Sequence, residues 1–327
     1  MHLLAYLSLL FPLAAGPMAR LVTARVEPRT ATWLMSGAAV LLAGTSCGAL
    51  GLLALASLVR IPVLARLGHW SLSVVAGGDP STAAVSAIAG VLFGAALLAV
   101  VAYAVRMARA LTEAFRQARL LAGPDSLVVT EDAAADAYAV PGRPGRIVVS
   151  AGMFDALDAP GRAALLAHEH AHLTGRHYMF TSAARLAAAA NPLLRPLAGS
   201  VEYTVERWAD ERAAQEVGDR RLVAEAIAHA ALATKASRPR RGPGAVLGAV
   251  FGRSADRALA SAGPVPRRVA ALLAPPPGSG AAVALLSLAF MAAALVCALQ
   301  AADDLQDLLS LAHASMHSAV LGRPGSH

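Results

Sequence analysis

His168, Glu169 and His172 are the residues of this chain whose types and spacing can do chemistry. They sit in the run Ala163-Ala164-Leu165-Leu166-Ala167-His168-Glu169-His170-Ala171-His172-Leu173, which reads as helix. A helix turns about 100° per residue, so histidines four apart present both imidazoles on one face. Two imidazoles so placed can hold one Zn²⁺, with Glu169 beside the metal to take a proton from its bound water. That is the metal-and-base pair that zinc-dependent hydrolysis of a peptide requires. His170 points to roughly the opposite side and is read, like His177, as a surface or packing residue.

Two imidazoles are not a site. A catalytic zinc takes three protein ligands and keeps one position open. Glu202, Glu206 and Asp210 follow at four-residue steps on a helix expected over Val201–Ala214. Glu206 is the favoured third ligand and Glu202, one turn earlier, is the rival. Only Glu206 has an aspartate four residues on, where Asp210 can accept the spare N–H of a ligand histidine and fix its tautomer. A donor for the developing oxyanion is sought among Tyr203, His177 and Arg207, with no choice between them.

Several elements must position these groups. A helix over Met107–Leu121 is stopped by Gly123-Pro124. Short strands follow at Leu127–Thr130, Ala137–Val140 and Arg146–Val149, the last two joined through Pro141-Gly142 and Pro144-Gly145. Asp158 is an expected N-cap for the histidine helix, with Pro160 in its first turn and an end or bend at Gly175. Met179–Ala190, closed by Asn191-Pro192, reads as a buried or membrane-grazing helix rather than a full span. Another helix is expected over Arg221–Ala236. Residues 235–268 hold eight Lys or Arg against one Asp, with four prolines, and read as a mobile basic loop around an apolar piece at Ala245–Phe251.

The composition places this machinery at a membrane. The chain of 327 residues is 57% hydrophobic and only 15% charged, too apolar for an ordinary soluble domain. Runs at about His2–Met18, Ala31–Leu58, Ala83–Val105 and Ala281–Ala302 approach the ~20 residues that cross a bilayer. The first resembles a secretion signal, but no positive charge precedes it. Arg20, Arg25 and Arg29 follow the first run, Arg106, Arg109, Arg116 and Arg119 the third, and Asp303, Asp304 and Asp307 the fourth. That distribution puts residues 106–280 in the cytoplasm and both ends outside, with Arg60 and Arg66 in the second loop fitting least well. The net charge of +7 thus fits a cytoplasmic membrane face. Direct nucleic-acid binding is not expected, because no aromatic-plus-basic module accompanies the charge. Trp33 and Trp70 near span ends read as interfacial anchors. Cys47 and Cys297, far apart in apolar segments, imply no disulfide framework. His313 and His317 also lie four apart, but without an acidic third ligand they read as the polar face of an interfacial helix.

His168-Glu169-x-x-His172, then Asn191-Pro192-Leu193, then Glu206-Arg207-Trp208-Ala209-Asp210-Glu211, resembles the BlaR/MecR family of membrane zinc metallopeptidases. It is similar, more distantly, to HtpX-type peptidases. The likeness extends over about residues 1–302, but its specific part is only about 127–214. It implies a mainly α polytopic membrane protein with four transmembrane helices and an α+β zincin-like catalytic domain between spans three and four. The expected segments are 1–105, with three spans; 106–280, the cytoplasmic peptidase domain; 281–302, the fourth span; and 303–327, a short external tail. It also implies His168, His172 and Glu206 as zinc ligands, Glu169 as general base, and a transcriptional repressor or the chain itself as substrate. Antibiotic-sensing members carry an extracellular penicillin-binding domain after the fourth span. Only about 25 residues follow it here, so no such sensor is expected at that end. Two other readings stand beside this one: HtpX-like turnover of membrane proteins, and a non-catalytic membrane receptor or scaffold braced by a structural zinc.

Overall fold

The structure, a computed structural model, describes residues 2–58, 80–120, 127–142, 144–237, 264–276, 278 and 280–321. Helices α1 (His2–Arg25), α2 (Pro28–Leu58) and α3 (Pro80–Leu120) come first, then strands β1 (Leu127–Thr130), β2 (Ala137–Val140) and β3 (Arg146–Ser150). Helices α4 (Ala151–Asp155), α5 (Ala159–Thr174) and α6 (His177–Ala190) follow, and a 3₁₀ turn at Pro192–Leu194 leads into α7 (Arg195–Val217). Helices α8 (Arg220–Ala236), α9 (Pro264–Leu273) and α10 (Ala281–Leu321) complete the chain. Among the described residues four helices contain stretches long and apolar enough to cross a membrane: Leu4–Arg25, Pro28–Leu55, Ala84–Gln117 and Ala281–Asp304. The described residues are mainly helical, with one small sheet. The readings of Arg60, Arg66, Trp70 and Ala245–Phe251 fall outside the described residues, as do the side chains of His313 and His317.

Two long helices run across boundaries that the sequence suggested. The expected third span and the helix after it form one element, α3, because no glycine or proline stands between Val105 and Met107. The fourth apolar run continues as helix to Leu321, again with no breaker after Ala302. In α1 the helix passes through Pro12 and Pro17 and ends only at Arg25.

The sheet has the order β1-β3-β2, with β1 parallel and β2 antiparallel to the central strand. Strand β3 is buried along its whole length. Ile147 and Val149 face a core with Met153 and Leu157, against which α5 residues Leu165, Leu166 and Leu173 pack. Val148 and Val140 cover Ala114 of α3 on the other face. Ser150 caps α4, its hydroxyl accepting from the Met153 N–H at 3.1 Å.

The core of residues 106–280 continues into the helices that precede it. A cluster of small and apolar side chains joins Ala15, Ala19 and Val22 of α1 and Met35, Ala39 and Leu42 of α2 to Ala184, Ala187, Leu197, Val201 and Val205 of α6 and α7. The reason lies in composition. Helix α6 carries alanine around much of its girth, and an alanine helix buries enough area only when neighbours approach on several sides. The hairpin of α6 and α7 accordingly lies along α2. At its tip Asn191 donates from Nδ2 to the Ser46 hydroxyl at 3.2 Å, and Pro196 meets Gly16. Ser46 is about 27 Å along α2 from Pro28, at 1.5 Å per residue. The 14 residues of α6 reach about 21 Å, short of a ~30 Å hydrocarbon core, so the chain turns back. Near its base, Thr32 donates to Thr204 Oγ1 at 3.0 Å, and midway Arg185 is paired with Glu202 at 2.6 Å.

One backbone crossing fixes how α10 enters this bundle. Gly280 has φ +55°, and a Cβ there would stand 2.4 Å from the Arg25 carbonyl oxygen. No side chain fits without displacing backbone. Gly280→Ala is expected to cost about 1–3 kcal/mol, read as a lowered thermal midpoint in detergent. An unchanged midpoint would show that the crossing is not needed.

Candidate metal centre

The metal helix begins where the sequence said it should. Asp158 caps α5 by accepting from the Gly161 N–H at 2.9 Å, with Pro160 in the first turn. Ten residues later His168 and Glu169 are both buried, while His170 faces solvent. Helix α7 crosses α5 and brings Glu206 and Asp210 against the two imidazoles. Nε2 of His168 and Nε2 of His172 are 3.1 Å apart. Each lies 3.6 Å from a Glu206 carboxylate oxygen. Zinc held tetrahedrally at about 2.0–2.1 Å separates its ligand atoms by about 3.3 Å. Two imidazole nitrogens, each near a different oxygen of one carboxylate, thus form a group of donors that could hold a metal ion, with one atom from each residue lying within 4.8 Å of the others. Glu202 is turned away onto Arg185.

Behind this face each spare nitrogen has a polar neighbour. Nδ1 of His168 lies 3.0 Å from Asp210 Oδ1, off the line of the ring N–H. Asp210 is fully buried and is gripped from the other side by Arg268, with Nε to Oδ2 at 2.8 Å and a second bond to Oδ1 at 2.5 Å. The same guanidinium reaches Glu206 Oε2 through Nη1 at 2.8 Å. Nδ1 of His172 meets Nδ1 of His177 at 3.0 Å. With a metal on His172 Nε2, the ring proton would sit on Nδ1 and His177 would accept it.

Sequence reasoning missed two of these partners. Arg268 fell within the stretch read as a mobile loop, yet Pro264–Leu273 is helical. Pro264 at the helix start, with Val269 and Leu272 at buried spacing, was the available signal. Nothing in one sequence says that Arg268, rather than Arg267, reaches the site; Arg267 instead lies 4.4 Å over the Tyr203 ring. His177 is neither a surface residue nor placed to meet an oxyanion. It is 2% exposed, stands behind His172 and contacts Trp208 with ring centroids 4.5 Å apart. Arg207 is drawn to Glu211 at 3.2 Å.

The turn that delivers His177 is strained. Arg176 has φ +48°, a region costly for a residue with a side chain. A Cβ on Gly175 would lie 2.3 Å from His177 Nε2, so only glycine serves there.

Electrostatics follow from burial and these pairs. Burial opposes charge on His168, but the hydrogen bonds of Asp210 and Glu206 and the charge of Asp210 outweigh it and raise its pKa to about 9. Burial would raise Glu206 and Asp210; the Arg268 charge, aided by the histidines, holds both below the ordinary range. Burial, then the neighbouring His172, lowers His177 to about 3, keeping it a neutral acceptor.

Residues 103–189 match the family model of Peptidase family M48, a family of metallopeptidases. The match takes in α5 with both histidines and ends before Glu206, covering roughly a quarter of the chain. It does not distinguish BlaR/MecR-type from HtpX-type enzymes. No curated protein and no solved structure matches the chain.

Two outcomes are expected of this centre. Below about pH 9 the metal-free His168 holds a proton that a cation must displace, so zinc affinity should rise about tenfold per pH unit from 6 to 8 and level off near 9. Chelator competition across that range measures it, and a flat profile would remove the proton from His168. Glu206→Ala should lose most of the roughly one zinc per chain. Separately, Arg268→Ala removes the guanidinium from the buried Asp210 and the partly buried Glu206 and should cost about 3–5 kcal/mol. Denaturation in metal-free buffer tests this, and a neutral result would make the guanidinium dispensable.

Proposed function

We propose that this chain is a membrane-embedded zinc-dependent metalloendopeptidase that cleaves a cytoplasmic or membrane-adjacent protein. The observation that carries this is the convergence of His168 Nε2, His172 Nε2 and a Glu206 carboxylate oxygen within 4.8 Å of one another, with the buried Glu169 next to His168 on the same helix. A purely structural site has no need of an acid at position 169. His168, His172 and Glu206 would hold the metal, with Asp210 and His177 orienting the two rings. A bound zinc supplies a Lewis acid and brings the pKa of its water toward about 7. Glu169 takes the proton released on attack and passes it to the leaving amine. Strand β2, at the sheet edge and against α5, offers backbone groups for an extended substrate.

The arginines that follow the first and third spans support a cytoplasmic face for the site. A repressor or the chain itself suits the BlaR/MecR likeness. Turnover of membrane proteins is a second reading, favoured by the core that α6 and α7 share with α1 and α2. Either reading requires Glu169. Glu169→Gln should keep its zinc and lower cleavage of an unfolded protein substrate by about 10²–10⁴-fold. If Glu169→Gln is silent while His168→Ala unfolds the protein, the zinc is a brace and the scaffold reading replaces this one.

A further inference from the structure

Of the residues that the sequence singled out beside the metal donors, Tyr203 is still without a role. It lies three residues before Glu206 on α7, which is about 4.5 Å along the helix axis and about 60° around it. Tyr203 thus lies on the flank of α7 that carries the metal ligand, one turn nearer the start of the helix. The Arg267 guanidinium covers its ring, with Cζ 4.4 Å from the ring centroid. Arg267 is in turn the residue before Arg268, whose Nη1 reaches Glu206 Oε2 at 2.8 Å. Both members of the pair therefore stand beside groups that make the metal centre, one on each of two packed helices.

The two adjacent arginines are differently employed. Arg268 is buried, and its charge is matched by Asp210 and Glu206. Nearby, Arg207 and Arg220 share Glu211. Arg267 is exposed and has no carboxylate partner among the described residues; its contact is the ring of the partly buried Tyr203. Stacking occupies one face of the guanidinium plane and leaves the N–H groups in that plane able to donate. It also steadies a long side chain, so less freedom is lost when a ligand is bound. A planar fork of donors with an unmatched charge recognises a carboxylate through two parallel hydrogen bonds.

Position decides whose carboxylate it is. A lipid phosphate would suit the same charge, but a headgroup site has no reason to be assembled one turn from Glu206 and one residue from Arg268. A substrate chain lying across the donor cluster must pass this pair. An extended peptide advances about 3.3 Å per residue. A carboxylate held at Arg267 therefore belongs to a residue within about three of the bond at the donor cluster.

We propose that Arg267, stacked on Tyr203, forms a substrate subsite that selects an aspartate or glutamate side chain within about three residues of the cleaved bond. This rests on the peptidase reading above and names the class of sequence that the site accepts.

The test uses unstructured labelled peptides, identical except for Asp, Asn or Lys at the centre. Their dissociation constants are measured by fluorescence anisotropy on the full zinc-loaded Glu169→Gln chain in detergent, so that binding is read without cleavage. The Asp peptide should bind about three- to tenfold tighter than the Asn peptide, as expected of a solvated but two-pronged ion pair. That ratio should shrink as salt is raised. Arg267→Gln in the same background should bring it near unity, and Arg267→Glu should put the Lys peptide ahead of the Asp peptide. An arginine that serves only the fold or a lipid surface would instead move all the peptides together. That result, equal binding of the Asp and Asn peptides, an Asp preference that survives Arg267→Glu, or no binding at all would each overturn the proposal. The wild-type chain is then offered the same peptides. Charge-selective binding with no peptide cut would sustain the subsite and sink the peptidase reading, whereas cleavage blind to the central charge would do the reverse.

Discussion

Two carboxylates, Asp210 and Glu206, are held on one helix inside the protein, and Arg268 is what makes that tolerable. Burying a carboxylate costs far more than a surface ion pair returns, so each needs a cation and several hydrogen bonds. Arg268 supplies two bonds to Asp210 and one to Glu206. The planar fork of a guanidinium can do this; a lysine ammonium cannot. With His168 protonated, these two anions and two cations sum to zero net charge. Exchanging that proton for a divalent metal ion would raise the charge of these groups by one, in a site where low dielectric strengthens the metal's pull on a carbonyl oxygen. The arginine thus keeps the carboxylates ionised and in place for a metal without cancelling the metal's charge.

The same arrangement explains why the site is not confined to its own domain. Helix α7 carries Glu206 and Asp210 on the face toward α5. Its other residues, Leu197, Val201 and Val205 among them, belong to the core shared with α1 and α2. The threonine pair Thr32–Thr204 and the Arg29 guanidinium over the Trp208 ring add polar and cation–π ties at the same level. Displacing α2 relative to α7 would move a ligand and a ligand's partner together. The membrane bundle is therefore part of the scaffold on which the ligand geometry rests.

This division also separates what the sequence disclosed from what it did not. The histidine pair, its N-cap, the helix end at Gly175, the β2–β3 hairpin and the Glu206/Asp210 spacing were legible, because each follows from local period and chemistry within a few residues. Arg268 and His177 were not. The arginine lies 58 residues beyond Asp210, past a basic proline-bearing stretch that hides its short helix. His177 looked ordinary because its role depends on a left-handed Arg176 that no composition rule anticipates. The shared core escaped for a related reason. Alanine-rich helices show weak amphipathic signals, so the sequence does not say which neighbours they choose.

The turn at Gly175-Arg176 is where these threads meet. It must reverse the chain between α5 and α6 in very few residues while setting the His177 ring against His172. Glycine at 175 leaves room for that ring, and the helices on either side hold Arg176 at positive φ. Strain of this kind persists only where surrounding structure over-determines it. Here the over-determination comes from α5, tied to the sheet, and α6, tied to α2. The junction of α5 with α6 and the outer partner of a metal-site histidine are thus built from one three-residue segment.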